Sequence, residues 1–101
     1  MNKFDVFIAD TFYTRFLGYM FRKAPHHPAI LIKPCNSIHT FFMNFDIDVL
    51  FINKDMEVIK RIDGLRQRKI IMPVKGATAV IEALAGTFKN IEIGERFEIQ
   101  Q

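Results

Sequence analysis

Cysteine, tryptophan and long hydrophobic runs are scarce in this 101-residue sequence, which has one cysteine and no tryptophan. The single cysteine, Cys35, excludes an internal disulfide and is typical of a reducing compartment. No apolar run approaches the roughly 20 residues that a membrane-spanning helix needs. The start of the chain also lacks the apolar region and cleavage site of a secretory signal. We therefore expect a cytoplasmic protein with no membrane partner.

Charge of one sign is also limited, since 14 basic and 11 acidic residues leave a net charge of +3. The basic residues cluster only at Arg66, Arg68 and Lys69, where no aromatic residue adjoins them in the sequence. Nucleic-acid surfaces usually combine a basic stripe with stacking aromatic side chains. A short basic run is more often a solvated loop. We therefore predict no nucleic-acid partner and assign this cluster to solvent.

The abundant residues are those of one packed core. Half of the residues are hydrophobic, 11 are phenylalanine and a quarter are charged, as in ordinary globular proteins. A chain of this length can bury one core but is too short for two. We expect a single domain over residues 1–101, either a monomer or a weak homodimer, and the sequence indicates no cofactor.

Short stretches of alternating apolar residues, separated by turn-forming residues, predict a mainly β fold. The predicted strands are 4–9, 29–33, 38–43, 47–53, 56–62, 77–84 and 91–99. Asn53, Lys54 and Asp55 separate two of these strands in the way typical of a hairpin. The strand at 77–84 is apolar on both sides and should be buried on both. The stretch 65–76 is too mixed to assign beyond extended or irregular.

One short helix is predicted near the N-terminus. Phe12, Phe16 and Met20 recur at helical spacing after Asp10, a good N-cap residue, so the helix should span 12–20. With the strands, this helix predicts a small antiparallel β-barrel or sandwich with one short N-terminal helix. The lack of regular strand–helix alternation argues against a parallel, doubly wound sheet.

Polar side chains concentrate within 14 residues of otherwise apolar sequence. They are Cys35, Ser37, His39, Thr40, Asp46 and Asp48. In an extended strand, His39 faces the same side as Met43. A buried imidazole needs a hydrogen-bond partner, which could be Asp48, Glu82 or, through a bridging acid, Arg15. His39 is then either a structural histidine or part of a site.

Two more demanding kinds of chemistry match the spacing poorly. A nucleophilic site would use Cys35 activated by His39 and oriented by Asp48, yet residues four apart on a strand lie about 13 Å apart. A metal site could draw on Cys35, His39 and the adjacent His26 and His27. These residues lack the helical or Cys-x-x-Cys spacing that identifies metal ligands. We therefore predict no metal site and assign no catalytic residue.

Glu82 is an isolated acid in an apolar predicted strand. A buried carboxylate is costly unless it is paired, and Arg15 or His39 would be suitable partners. Glu82 is then half of a core ion pair or the floor of a polar pocket, and the sequence does not separate these two interpretations.

Taken together, four segments of the sequence resemble one known family. They are 15–22, 35–43, 47–51 and 81–87, and in this order they are similar to DUF (domain of unknown function) family 192 over nearly the whole chain. The family pattern carries over to Arg15, Gly18, Met20, Arg22, Cys35, Ser37, His39, Thr40, Met43, Asp48, Glu82 and Gly86. The sequence departs from it at Tyr19, Asp46 and Glu95. The resemblance implies a compact β-barrel or sandwich-like domain with an early helix and an unassigned activity.

Three functional hypotheses follow. The first is a binding module for a small polar ligand or a peptide, with a site formed by Arg15, His39, Thr40, Met43, Asp48 and Glu82. The second is a hydrolase-like enzyme in which His39 acts as general base and Asp48 orients it. The third is a structural or interaction domain without a ligand site, in which the same polar residues only stabilise the fold.

Overall fold

The computed structural model describes residues 2–9, 19 and 28–100. These residues form strands and turns without a helix, and the helix predicted at 12–20 lies outside them apart from Tyr19. The strands are β1 (Asn2–Asp5), β2 (Phe7–Ala9), β3 (Ala29–Ile32), β4 (Ile38–His39), β5 (Ile47–Ile52), β6 (Val58–Leu65), β7 (Ile70–Ile71), β8 (Ala79–Leu84) and β9 (Phe97–Gln100).

Most strands belong to one five-stranded sheet with the order β2-β3-β8-β5-β6. The β2–β3 pair is parallel and the other pairs of this sheet are antiparallel. A parallel β1–β9 pair and an antiparallel β4–β7 pair complete the described strands. The prediction of a mainly β fold is confirmed. A closed barrel is not, because the pairings of the described strands leave β2 and β6 at opposite ends of the sheet.

The predicted hairpin between 47–53 and 56–62 is present as β5 and β6. Asn53 organises its turn, because its side-chain oxygen accepts hydrogen bonds from the backbone N–H groups of Asp55 and Glu57, both at 2.9 Å. An asparagine that bonds to its own following backbone is a common turn-forming device. The hairpin is therefore encoded locally.

The core lies on both faces of the five-stranded sheet. One cluster of buried residues includes Leu31, Leu50, Ile52 and Ile81. The other includes Ile30, Val49, Phe51 and Val80, together with Tyr19. Adjacent residues of a strand point to opposite faces, so the central strands contribute to both clusters. The prediction that 77–84 is buried on both sides is confirmed for Ala79–Ala83.

The strand predicted at 38–43 is shorter in the structure, where only Ile38–His39 is extended and paired. The backbone N–H of Met43 bonds to the carbonyl oxygen of Thr40, which closes a turn over 41–42. The partner of β4 is β7, which lies in the stretch that the sequence left unassigned. A long-range pairing therefore replaces the expected local extension.

Within the described residues there is no helix with the length and hydrophobicity that a bilayer crossing requires.

Candidate functional site

The two acids predicted to share a site, Asp48 and Glu82, lie on opposite faces of the sheet. Asp48 is opposite Ala83, and Glu82 is opposite Val49. Directly opposed residues of paired strands share a face. Asp48 therefore lies on the face of Leu50, and Glu82 on the face of Val49. The structure does not bring the two carboxyl groups together.

The Asp48 carboxylate is fully used by backbone hydrogen bonds. Its Oδ1 accepts from the N–H of Gly64 at 2.9 Å. Its Oδ2 accepts from the N–H groups of Gly86 and Phe88 at 2.9 and 3.0 Å. Hydrogen bonds from N–H groups to a carboxylate are among the stronger ones in proteins. Asp48 therefore holds β6 and the turn after β8 against β5, and its carboxylate does not orient His39.

Glu82 is a buried acid on β8, where it stands between Ile30 of β3 and Val49 of β5. Its Oε1 has no hydrogen-bond partner within residues 2–9, 19 and 28–100. Burial raises the pKa of this carboxyl to about 8, because the charged form is poorly solvated in the core. The carboxyl is therefore mostly protonated at neutral pH. Arg15, one predicted ion-pair partner, lies outside the described residues.

Tyr19 is a buried neighbour of this region. Its hydroxyl donates to the backbone carbonyl of Glu82 at 3.4 Å, and its ring packs edge-on against Phe45 with centroids 5.4 Å apart. Burial, and next the nearby Glu82 charge, raise the pKa of Tyr19 above its ordinary value. Both effects keep the hydroxyl neutral as a hydrogen-bond donor. Both Glu82 and Tyr19 are therefore mostly uncharged at neutral pH.

His39 lies half-buried on the two-stranded β4–β7 ribbon, opposite Ile70. Its Nδ1 accepts a hydrogen bond from the backbone N–H of Phe41 at 3.2 Å, and the two rings are in contact with centroids 5.8 Å apart. Because Nδ1 is an acceptor here, the neutral ring carries its proton on Nε2. His39 therefore supports the start of the turn at Phe41, and among the described side chains it forms no hydrogen bond to Asp48 or Glu82.

Thr40 joins the turn after β4 to the loop before β7. Its side-chain hydroxyl donates to the Arg66 carbonyl at 2.6 Å and accepts from the Lys69 N–H at 2.8 Å. Its backbone N–H donates to the Lys69 carbonyl at 2.9 Å, and its carbonyl accepts from Arg68 at 3.2 Å. Gln67 adds a side-chain bond to Asp46 at 2.9 Å. The two loops are therefore fixed to each other around a buried threonine.

A groove of about 630 Å³ lies between these two loops and is lined by residues 41–44 and 66–68. We call it the loop groove. Phe42 is 63% exposed there, while Met43 is buried and also belongs to the core. Arg66 and Arg68 are both exposed, and neither guanidinium forms an ion pair with an acid of the described chain. The loop groove thus places two cations, neither paired with a described acid, beside an exposed aromatic ring.

Both sides of the loop groove contain a residue with a positive φ angle. Phe42 has φ 66° and Arg68 has φ 63°. Apart from glycine, only Met56 shares this conformation within the described chain. A bulky residue in this region costs about 1–2 kcal/mol, and such strain in proteins clusters at functional sites. The hydrogen bonds of Thr40 hold the strained loops in place.

Cys35 lies beside a smaller depression of about 350 Å³, which is also lined by residues 34, 36, 77 and 78. Its thiol donates to the Ser37 carbonyl at 2.9 Å, so the cysteine supports the turn before β4. The nucleophilic arrangement of Cys35, His39 and Asp48 is not assembled, because Asp48 is bound to backbone amides. No group of three metal-ligating side chains is present among residues 2–9, 19 and 28–100.

The predicted site residues are therefore dispersed. Met43 lines the loop groove, Thr40 joins its two loops without lining it, and His39 contacts the lining residue Phe41. The sequence does not identify Phe42, Arg66 or Arg68 as candidate site residues. The basic cluster is evident in the sequence. Its aromatic neighbour in the structure, Phe42, precedes Arg66 by 24 residues, and only the fold brings the two together.

Comparisons with known proteins agree on the family. A UPF0127 protein of Pyrococcus furiosus is 34% identical over 103 residues, which span 95% of this chain and 87% of that protein. A UPF0127 protein of Pyrococcus abyssi is 38% identical over 98 residues, which span 90% and 82%. A protein of unknown function from Novosphingobium aromaticivorans has a similar crystal structure, with a TM-score of 0.78 and 20% identity over 92% of this chain and 73% of that chain. Residues 1–99 match the DUF192 family, described as "Uncharacterized ACR", and the chain belongs to that family.

Proposed function

We propose that the protein is a binding module and that its loop groove takes a small polar ligand or a peptide segment through a carboxylate. The supporting observation is the pair of guanidinium groups of Arg66 and Arg68, which form no ion pair with a described acid and lie beside the exposed ring of Phe42. Unpaired cations in a concave site favour an anionic ligand. The strained backbone at Phe42 and Arg68 supports the same location.

The chemistry of the groove favours a carboxylate over other polar groups. A guanidinium presents N–H donors in a planar fork that matches the two oxygens of a carboxylate. The ring of Phe42 offers an apolar surface to the rest of the ligand. Binding at so open a site should be weak for a small molecule, and it should weaken further as salt screens the charges.

The predicted site residues take different roles in this proposal. Met43 forms part of the groove, and Thr40 positions its two loops without touching the ligand. Asp48 links strands and turns of the fold, Glu82 is buried in the sheet, and neither lines the groove. Arg15 remains a predicted ligand residue. A hydrolase mechanism with His39 and Asp48 gains no support from the geometry, since the Asp48 carboxylate is occupied by three backbone N–H groups.

In the test, the ¹⁵N-labelled protein is titrated with N-acetyl-phenylalanine, and NMR spectra record the chemical shifts of its backbone amides. We expect saturable shifts confined to residues 40–44 and 66–69. The neutral analogue N-acetyl-phenylalaninamide, which lacks the carboxylate, should bind about tenfold more weakly because it loses a charge-assisted hydrogen bond.

Two variants make this test specific. The double variant Arg66→Gln, Arg68→Gln should abolish the shifts, whereas Arg96→Gln, at an exposed arginine outside the groove, should leave them unchanged. Equal shifts from the acid and the amide, or shifts that survive in the double variant, would contradict the proposal.

A further inference from the structure

We propose that the natural occupant of this surface is an extended acidic peptide that also carries an apolar side chain. Its acidic side chain binds Arg66 and Arg68 in the loop groove, and its apolar side chain covers the outward face of the β4–β7 ribbon. This inference rests on the proposed function and names the class of ligand.

The outward face of the ribbon follows from its register. Ile38 pairs with Ile71, and both pack against the core. His39 pairs with Ile70, so these two residues share the other face of the ribbon. Ile70 is 61% exposed and Met72, two residues further on, is 71% exposed. We call His39 and Ile70, together with Met72 directly after β7, the ribbon face.

The ribbon face is continuous with the loop groove. The ring of His39 contacts the ring of Phe41, which lines the groove. Arg68 and Lys69 precede Ile70 directly in the chain. Of the six exposed large hydrophobic side chains in the described chain, four lie on this combined surface, namely Phe41, Phe42, Ile70 and Met72. Exposed apolar side chains grouped near one site favour an interaction surface there.

The shape and charge of this surface favour a peptide. A small ligand would fill the groove and leave the ribbon face exposed, whereas an extended chain advances about 3.3 Å per residue and can cover both. A lipid bilayer would contact projecting side chains and not the lining of a groove. A second copy in a symmetric contact would place Arg66 and Arg68 near their own counterparts, where like charges repel. An acidic chain complements Arg66 and Arg68 instead.

Fluorescence anisotropy with short labelled peptides tests this inference. The probes are four hexapeptides that contain two glutamates with one phenylalanine and one leucine in different orders, each paired with a version in which glutamine replaces both glutamates. We expect at least one acidic peptide to bind more tightly than N-acetyl-phenylalanine. Its glutamine version should bind roughly tenfold or more weakly, because the charge-assisted hydrogen bonds are lost.

Substitutions on the ribbon face separate this inference from the proposed function. Ile70→Ser should weaken peptide binding by about three- to tenfold through lost apolar contact, while the binding of N-acetyl-phenylalanine should not change. The matched control is Ile93→Ser, since Ile93 is 64% exposed in a turn outside this surface. It should leave both affinities unchanged. Circular dichroism spectra establish that both variants are folded.

The other possible occupants give different results. If N-acetyl-phenylalanine binds in the groove but no acidic peptide binds more tightly, or if Ile70→Ser has no effect on the peptide, this inference is wrong and the proposed function stands. If neither probe binds, both fail. A membrane surface would be identified instead if the wild-type protein sedimented with vesicles of phosphatidylcholine and phosphatidylglycerol and Ile70→Ser did not. Self-association that Ile70→Ser abolishes would identify a second copy, and either result overturns the peptide inference.

Discussion

At the scale of single residues, Glu82 makes the stability of the protein depend on pH. Its pKa rises from an ordinary 4.5 to about 8 because the folded protein buries it. The folded state therefore holds the proton more tightly than the unfolded state does. The stabilisation is complete below the unfolded pKa and is lost as the pH rises towards the folded pKa. Between these two values, one buried carboxyl changes the free energy of unfolding by about 1.4 kcal/mol per pH unit.

We predict that Glu82→Gln removes this dependence, because glutamine keeps the size of the side chain and does not titrate. Urea unfolding at pH 5, 6, 7 and 8 measures how the free energy of unfolding depends on pH. The wild-type protein should lose stability across this range, and the variant should lose less and be the more stable of the two at pH 8. The matched control Glu92→Gln changes an exposed acid and should keep the wild-type slope. Equal slopes in the wild type and Glu82→Gln would show that Glu82 ionises freely in the folded protein.

The positions of Glu82 and Asp48 also show what the sequence can predict about single residues. Both acids stand out in apolar strands, so their structural importance is predictable. Whether they meet depends on the register of β5 against β8, in which Asp48 lies opposite Ala83. A shift of one residue would exchange the faces of a whole strand. Register is set by packing across the sheet, which the sequence of either strand does not reveal.

At the scale of elements, the β5–β6 hairpin and the loop groove differ in how they are encoded. The hairpin is predictable because its apolar alternation and its Asn53 turn lie within one short stretch. The turn at 41–42 is not, because the bonds that replace the expected strand join Thr40 to Arg66 and Lys69, which are 26 and 29 residues away. The groove is not predictable for the same reason, because its aromatic and basic sides come from segments that are far apart in the sequence.

We predict that Thr40→Val loosens the two loops of the groove. Valine has the shape of threonine but leaves the Lys69 N–H and the Arg66 carbonyl without the hydroxyl. An unsatisfied buried group costs about 1–3 kcal/mol, so the free energy of unfolding should fall by about that amount. Binding of N-acetyl-phenylalanine should weaken as well, since the arginines lose their fixed positions.

Two further variants separate the hydroxyl from the side chain as a whole. Thr40→Ser keeps the hydroxyl and should retain most of the affinity. Thr87→Val removes an exposed hydroxyl that bonds to the Leu84 carbonyl outside the groove, and it should not change binding. If Thr40→Val bound the ligand as tightly as the wild type, Thr40 would stabilise the fold without positioning the groove.

At the scale of the whole molecule, Asp48 connects parts of the chain that are distant in sequence. It lies on β5, and its three hydrogen bonds reach β6 and the turn after β8, 16 to 40 residues away. Phe88, one of the bonded residues, belongs to the core cluster that also contains Phe97 of β9, and the two rings pack edge-on. One buried carboxylate thus links the central sheet to the turn after β8, whose Phe88 packs in one of the two core clusters.

We predict that Asp48→Asn lowers the free energy of unfolding by about 3–5 kcal/mol, since each hydrogen bond to a charged group contributes about 1.5–3 kcal/mol. Asparagine keeps one acceptor oxygen and turns an NH₂ group towards backbone donors on the other side. Because whole domains are stable by only about 5–15 kcal/mol, this is a large part of the total. Urea unfolding measures the loss, with Asp55→Asn at an exposed turn residue as the control.

Amide hydrogen exchange in Asp48→Asn tests whether this loss is local or global. If Asp48 couples the elements, the amides of Gly64 and Phe88 should lose protection together with those of β5 and β8, because the sheet and the turn open as one unit. Faster exchange confined to either turn, with β5 and β8 protected as in the wild type, would mean that Asp48 only fastens a loop. Cooperative loss would establish that Asp48, predicted as part of a site, is instead a structural link between the central sheet and the turn after β8.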